Sequence, residues 1–273
     1  MAIFTEVWTE QVWFLNMAIL DIADESVVAS AVNRGASGSF FVWMAGLLLL
    51  INLIGFSSTY FLKEFLGTPE LPLRTHIHGG IFTSWFVLFL VQTALISRRN
   101  FKIHRRVGIV GSMLAIAMVI SGLIMIYDGA MTYHDPDSGV SLEMTATFVW
   151  ANLVLLSAFA IFVTLGISLR RRPEAHKRLM LLASLSMMLQ SLARIGKFPL
   201  LQLVEPAFLN EVIFGLGGLL LLLLTLVVFD VLIRRRPHPA SLWGAPLLLV
   251  SIIFAAVVVP TTKFGQALVL VLG

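Results

Sequence analysis

The chemistry available to this chain sits in histidine, arginine and tyrosine residues placed at the ends of long apolar stretches. Residues 74–108 hold His76 and His78 at the start of an uncharged run, and His104 just beyond its end. His104 is followed by Arg105 and Arg106, and a second run of the same kind places Lys177 and Arg178 after His176. Two neutral imidazoles can ligate a haem iron from opposite sides, and nearby guanidiniums can pair with its propionates. His104 and His176 are therefore candidate ligands of a b-type haem, with Arg105, Arg106 and Arg178 around it. With Glu174 as a third ligand, the same pair would suit Cu, Fe or Zn. The competing reading makes both basic runs interfacial anchors that touch lipid phosphates.

A second set comprises Tyr60, His76, His78 and Arg194. Residues two apart on a helix point about 200° away from each other. His76 and His78 therefore share a ligand only in extended chain. Placing His78 at the helix start and His76 in the loop before it is the simpler expectation. Arg194 lies within an apolar span, where a charge is costly unless paired or kept for a task. This set is a candidate site for a quinone, a metal or a second cofactor, and His76, His78, His104 and His176 are the candidate metal ligands. Asp230 is expected to pair with the arginines that follow it, Arg234 to Arg236.

Positioning these residues falls to membrane-spanning helices. Of 273 residues, 58% are hydrophobic and 12% charged. A soluble domain carries about twice that charge. The expected fold is all-α, a polytopic membrane bundle of about seven transmembrane helices. Apolar stretches near 41–62, 78–97, 107–127, 145–168, 177–195, 210–233 and 242–261 supply the spans. The fifth holds Ser184, Ser186, Gln190, Ser191 and Arg194, so it should face protein or a cavity. The last residues, FGQALVLVLG, are too short to cross again.

Residues 1–38 read as an amphipathic segment, with Phe4, Trp8, Val12, Leu15 and Ile19 at helical spacing, ahead of a single bundle domain over 39–273. That segment could lie in the membrane interface or dock on a partner. Its start lacks a basic region, so no cleaved signal peptide is expected. Most of the 19 Lys and Arg fall in the loops after the second, fourth and sixth spans. The positive-inside rule then places those loops and the N-terminus in the cytoplasm, and the C-terminus outside. The net charge of +4 is explained by orientation and gives no reason to expect nucleic acid. The chain has no cysteine, which excludes disulfides and thiolate metal sites. Phosphate loops, nucleophile elbows and HExxH motifs are missing as well. No pair of broken helices of the kind found in transporters is visible in the pattern. The runs SRRNFKIHRRVG and LRRRPEAHKRLM form a weak internal repeat, which duplication or shared demands on inner loops would both explain.

FSSTYFL, THIHGGIFTSWFVLFLVQT, IHRRVG and RRRPEAHKRLMLLAS together resemble a widespread family of bacterial polytopic membrane proteins over residues 43–194. More distantly, the arrangement is similar to cytochrome b561-type proteins, helical bundles that hold two b haems near opposite membrane faces through histidine pairs. That resemblance implies ligand roles for His78, His104 and His176. The fourth span departs from it, because MTATFVWANLVLLSAFAIFVTLG has no histidine. Only the pair His104 and His176 survives the comparison intact, and the last two spans have no counterpart in it. The leading expectation is a redox protein of the bacterial cytoplasmic membrane that moves electrons across the bilayer. An accessory subunit or assembly factor of a larger membrane complex is the second expectation, and a metal-dependent membrane enzyme the third.

Overall fold

A computed structural model describes residues 38–67, 70–135, 137–206 and 208–272. The expected amphipathic helix falls on residues outside these. Phe41–Gly273 form one compact unit, and no strand occurs among the described residues. The chain runs through α1 (Gly38–Gly55), a widened turn at Ser57–Phe61, and short α2 (Lys63–Leu66). There follow α3 (Leu73–Ser97), α4 (Phe101–Met131), α5 (Leu142–Ser168), α6 (Pro173–Ser186) and α7 (Leu189–Ile195). The last elements are α8 (Phe208–Val212), α9 (Gly218–Arg234), α10 (Pro239–Ile253) and α11 (Lys263–Leu272). Wider turns join α8 to α9 and extend α10, so Leu209–Ile233 and Pro239–Thr261 are each one long apolar helix.

Among the described residues, six helices are long and apolar enough to cross a membrane, and the bent pair α6–α7 makes up to seven. Only 17% to 39% of their apolar windows is buried within the protein, so most of that surface faces outward. On α4, Ile109, Met113, Ile116, Ile120 and Leu123 form an exposed stripe at steps of four and three. Left in water, five such side chains would cost several kcal/mol at about 25 cal/mol per Å². In hydrocarbon that cost vanishes, which is why the sequence can carry them.

Local sequence explains where the helices begin. Asn100 caps α4 by accepting from the Ile103 N–H (3.3 Å), and Ser141 caps α5 by accepting from Met144 (3.2 Å). Pro173 and Pro239 open α6 and α10, where a missing N–H costs nothing. Between α3 and α4 the chain reverses in three residues, with Arg99 in the left-handed region (φ 56°). This tight hairpin brings His104 back beside the end of α3.

α6 is the central element. Leu179, Leu181–Leu185 and Met188 are buried, and Trp85 donates its indole N–H to Ser184 (3.2 Å) while meeting Phe159 edge-on at 4.9 Å. A continuous fifth span was the expectation from sequence. Instead α6 and α7 meet at a 47° bend. At the break, Met187 N–H reaches Ser184 O (3.2 Å), Met188 N–H reaches Leu185 O (3.0 Å), and Ser186 Oγ takes Ala183 O (2.8 Å). The serine hydroxyl competes with the helix ladder, a local option the hydropathy pattern does not display. The break is enclosed by protein, the setting in which irregular backbone is tolerated at membrane depth.

α7 is held by side chains from neighbouring helices. Ser191 donates to Asn52 (3.4 Å) and Gln190 to Asn152 (3.2 Å). Gly55 lets α1 approach closely here, because a Cβ would lie 2.2 Å from Ser191 O. At the chain end, α11 packs on α4 and α5. Trp150 donates to Gly265 O (2.9 Å), the His134 ring bonds Val269 O (3.3 Å), and Val269 is buried among Ile126, Ala146 and Val149.

Candidate functional site

His104 lies in the first turn of α4 and His176 in the first turn of α6. The packing of α3 on α4, α4 on α5 and α5 on α6 brings these turns to one end of the bundle. The two ring centroids stand 6.3 Å apart with planes at 84°. A metal–imidazole bond of about 2 Å, with the centroid about 1 Å behind its nitrogen, puts two opposed ligands about 6 Å apart. The observed spacing matches that value.

His176 is already oriented. Its Nδ1 lies 2.8 Å from Gly166 O, in the last turn of α5. Carbonyls there lack helical partners. A carbonyl only accepts, so Nδ1 is the donor here, and in a neutral ring that arrangement leaves Nε2 as the nitrogen available to a metal. Gly166 also packs close against α6, where a Cβ would sit 2.9 Å from Met180 Sδ and 3.5 Å from Leu179 Cβ. His104 is less settled: its Nδ1 is buried with no hydrogen-bond partner among the described residues, and so is Gln92 Oε1. The Gln92 amide nitrogen comes 3.4 Å from where a Cβ on Gly108 would be, one turn along α4 from His104. Nothing in the hydropathy pattern distinguishes Gln92 from an ordinary interhelical amide.

The basic residues divide. Arg105 and Arg106 are exposed, Arg105 Nε resting 3.4 Å from Phe101 O. Arg178, expected near propionates, is 1% exposed and turned into the protein. Its Nε donates to both oxygens of Asp230 (2.8 and 3.0 Å), and its Nη2 also meets Asp230 Oδ1. Its Nη1 donates to Glu174 Oε2 (2.7 Å). Asp230 accepts in addition from Ser241 Oγ (2.6 Å) and the His238 N–H (3.2 Å). Among the described side chains, the arginine that pairs with Asp230 is one on α6. The reason is geometric: α6 and α9 pack side by side, and a fully buried carboxylate needs a charge that is itself buried. Glu174 spends its oxygens on Lys177 (2.6 Å) and Arg178, which leaves no third metal ligand from this residue. No three His, Asp or Glu side chains among the described residues converge on a common point.

At the opposite end, α3 begins at Leu73, so His76 is helical and not in the preceding loop. Tyr60 donates to His76 O (3.1 Å), and the two rings lie 5.5 Å apart. Gly79 makes room for the tyrosine, since a Cβ would come 2.9 Å from its ring. The His78 ring stacks on Phe82 at 4.2 Å, and its Nδ1 is buried without a partner among the described residues. Arg194 lies over the Phe56 ring (4.4 Å) and donates to Gln190 O (3.2 Å). No carboxylate among the described residues is within ion-pair distance of it. Outside the spans, a hydrogen bond from Lys63 (2.7 Å) holds the Glu64 carboxyl below the usual carboxylate range.

The fold and site define an all-helical protein with outward apolar surface and a histidine pair at one end of its bundle. No protein-family model, no curated protein and no solved structure matches the chain.

Proposed function

We propose that this is a membrane redox protein in which His104 and His176 hold one b-type haem. The observation that carries the reading is the meeting of their rings at 6.3 Å, with His176 Nδ1 tied to Gly166 O. Haem also suits the donor set, because it asks only two ligands of the protein and two converge here. Arg105 and Arg106, exposed beside His104, are the candidate propionate partners, whereas Arg178 is committed to Asp230. Bound haem would supply a one-electron carrier at this end of the bundle.

The same reading takes the bent pair α6–α7 as one crossing, for seven in all. Its support is that α6 reaches Asp230 near one end of the Leu209–Ile233 helix, while Lys197, just after α7, pairs with Glu211 (3.2 Å) near the other. On this reading the basic loops, by the positive-inside rule, support a cytoplasmic histidine-pair end and N-terminus in a bacterial membrane, with the C-terminus outside.

The visible spectrum of detergent-purified protein from haem-replete cells, with and without reductant, tests the proposal. A Soret band that shifts on reduction is expected. His104→Ala and His176→Ala should each abolish it, and His134→Ala, remote from the pair, should not. Wild-type protein with no Soret band overturns the reading.

A further inference from the structure

An open groove of about 640 Å³ runs along the flank where α3 meets α4. On α3, Gly80, Ser84, Val87 and Val91 line it in one stripe, with Val110 of α4 opposite. From Gly80 to Val91 the stripe extends about 16 Å at the helical rise. All five of these residues are exposed, so the groove opens toward the surface that faces hydrocarbon.

Its two ends differ in chemistry. Tyr60, Thr83 and Ser84 provide hydroxyls near one end, and the stretch past Val87 is entirely apolar. The Tyr60 hydrogen is spent on His76 O. Thr83 Oγ1 accepts from Asn52 (3.5 Å) and keeps its own hydrogen to donate. The Ser84 hydroxyl makes no hydrogen bond among the described residues. No charged or histidine side chain lines the groove, so nothing in it attracts a phosphate headgroup. A matching ligand has a neutral head with acceptor oxygens and one long apolar tail.

Gly80 supplies an independent observation. Its neighbour Gly79 is required by the tyrosine ring, but a Cβ on Gly80 would meet nothing within 4 Å. A side chain at this position would therefore enter the groove without striking the protein.

We propose that the α3–α4 groove binds an isoprenoid quinone. The head lies beside Tyr60 with a carbonyl accepting from Thr83 or Ser84, and the tail follows Val87 and Val91. This stands apart from the haem reading, because none of these residues belongs to the histidine-pair site.

The test is photolabelling of the full chain in lipid nanodiscs with an azido-benzoquinone bearing a decyl tail, the labelled peptides being mapped by mass spectrometry. Label is expected on residues 80–91 or 110–114, competed by unlabelled decyl-benzoquinone and not by excess diacylglycerol or phosphatidylcholine. Gly80→Phe fills the head end and Val91→Trp the tail end. Each should cut labelling at least about tenfold with helicity by circular dichroism unchanged. Label elsewhere, label displaced equally by the lipids, or wild-type labelling in either folded variant overturns the proposal. The Soret band is read on the same samples, so failure of the haem reading is seen separately.

Discussion

A single carbonyl decides which nitrogen of His176 donates. Gly166 O is one of the acceptors that the end of α5 leaves open, and the imidazole fills it. The counterpart for His104 is Gln92, whose carbonyl oxygen lacks a partner, as does the ring's Nδ1. Under the haem proposal, the Gln92 side chain is the acceptor assigned to that ring. Gln92→Leu should then weaken haem retention about 10–100-fold, measured by transfer of haem to apomyoglobin, with helicity unchanged. Arg178 and Asp230 belong to the same scale. Removing one partner strands a charge inside the protein, so Asp230→Ala should lower stability by about 3–5 kcal/mol. The effect would lie at the low end of that range if Glu174 alone can hold the guanidinium. Thermal unfolding in detergent reads it, and the apolar double variant Arg178→Met with Asp230→Leu should recover most of the loss. Both titratable residues are plain in the sequence. Their pairing is not, because charges next to each other along the chain look equally suitable until the helices are packed.

Among the elements, α3 and the pair α6–α7 set the geometry of everything else. Gly55 and Gly80 are both glycines on membrane helices, yet their environments are opposite. A Cβ at Gly55 would strike the backbone of α7, and one at Gly80 would enter open space. Gly55→Ala should therefore destabilise the protein by about 1–3 kcal/mol through overpacking, whereas Gly80→Ala should leave the melting temperature unchanged. A result with the two reversed would refute the packing described for α1 on α7. The starts of α4, α5, α6 and α10 follow from capping residues and prolines that can be read directly, whereas α3 begins at Leu73, ahead of the apolar run that marks it in the sequence. The bend at Met187 could not be read, because the serines beside it suit a straight polar face as well as a broken ladder.

For the whole molecule, outward apolar surface and a central polar helix describe a protein built from the lipid inward. If α6–α7 is one crossing, the start of α1 and the end of α11 lie on opposite sides of the membrane. A reporter active only in the periplasm should then work when fused after residue 272 and fail when fused in the loop at 98–100. Activity at both places, or at neither, would sink the seven-crossing topology.

Composition and the length of the apolar runs determined by themselves that this chain carries six to seven long apolar helices able to span a membrane, because a span in hydrocarbon must satisfy its own backbone and tolerates few charges. They also singled out the histidines, since titratable rings at the ends of such spans stand out by type alone. Tertiary structure alone decided which of those rings meet, which arginine faces a carboxylate, and where a helix breaks. Those outcomes depend on distances between helices far apart in the chain, and such distances are set by side-chain packing across the whole bundle and not by any local pattern.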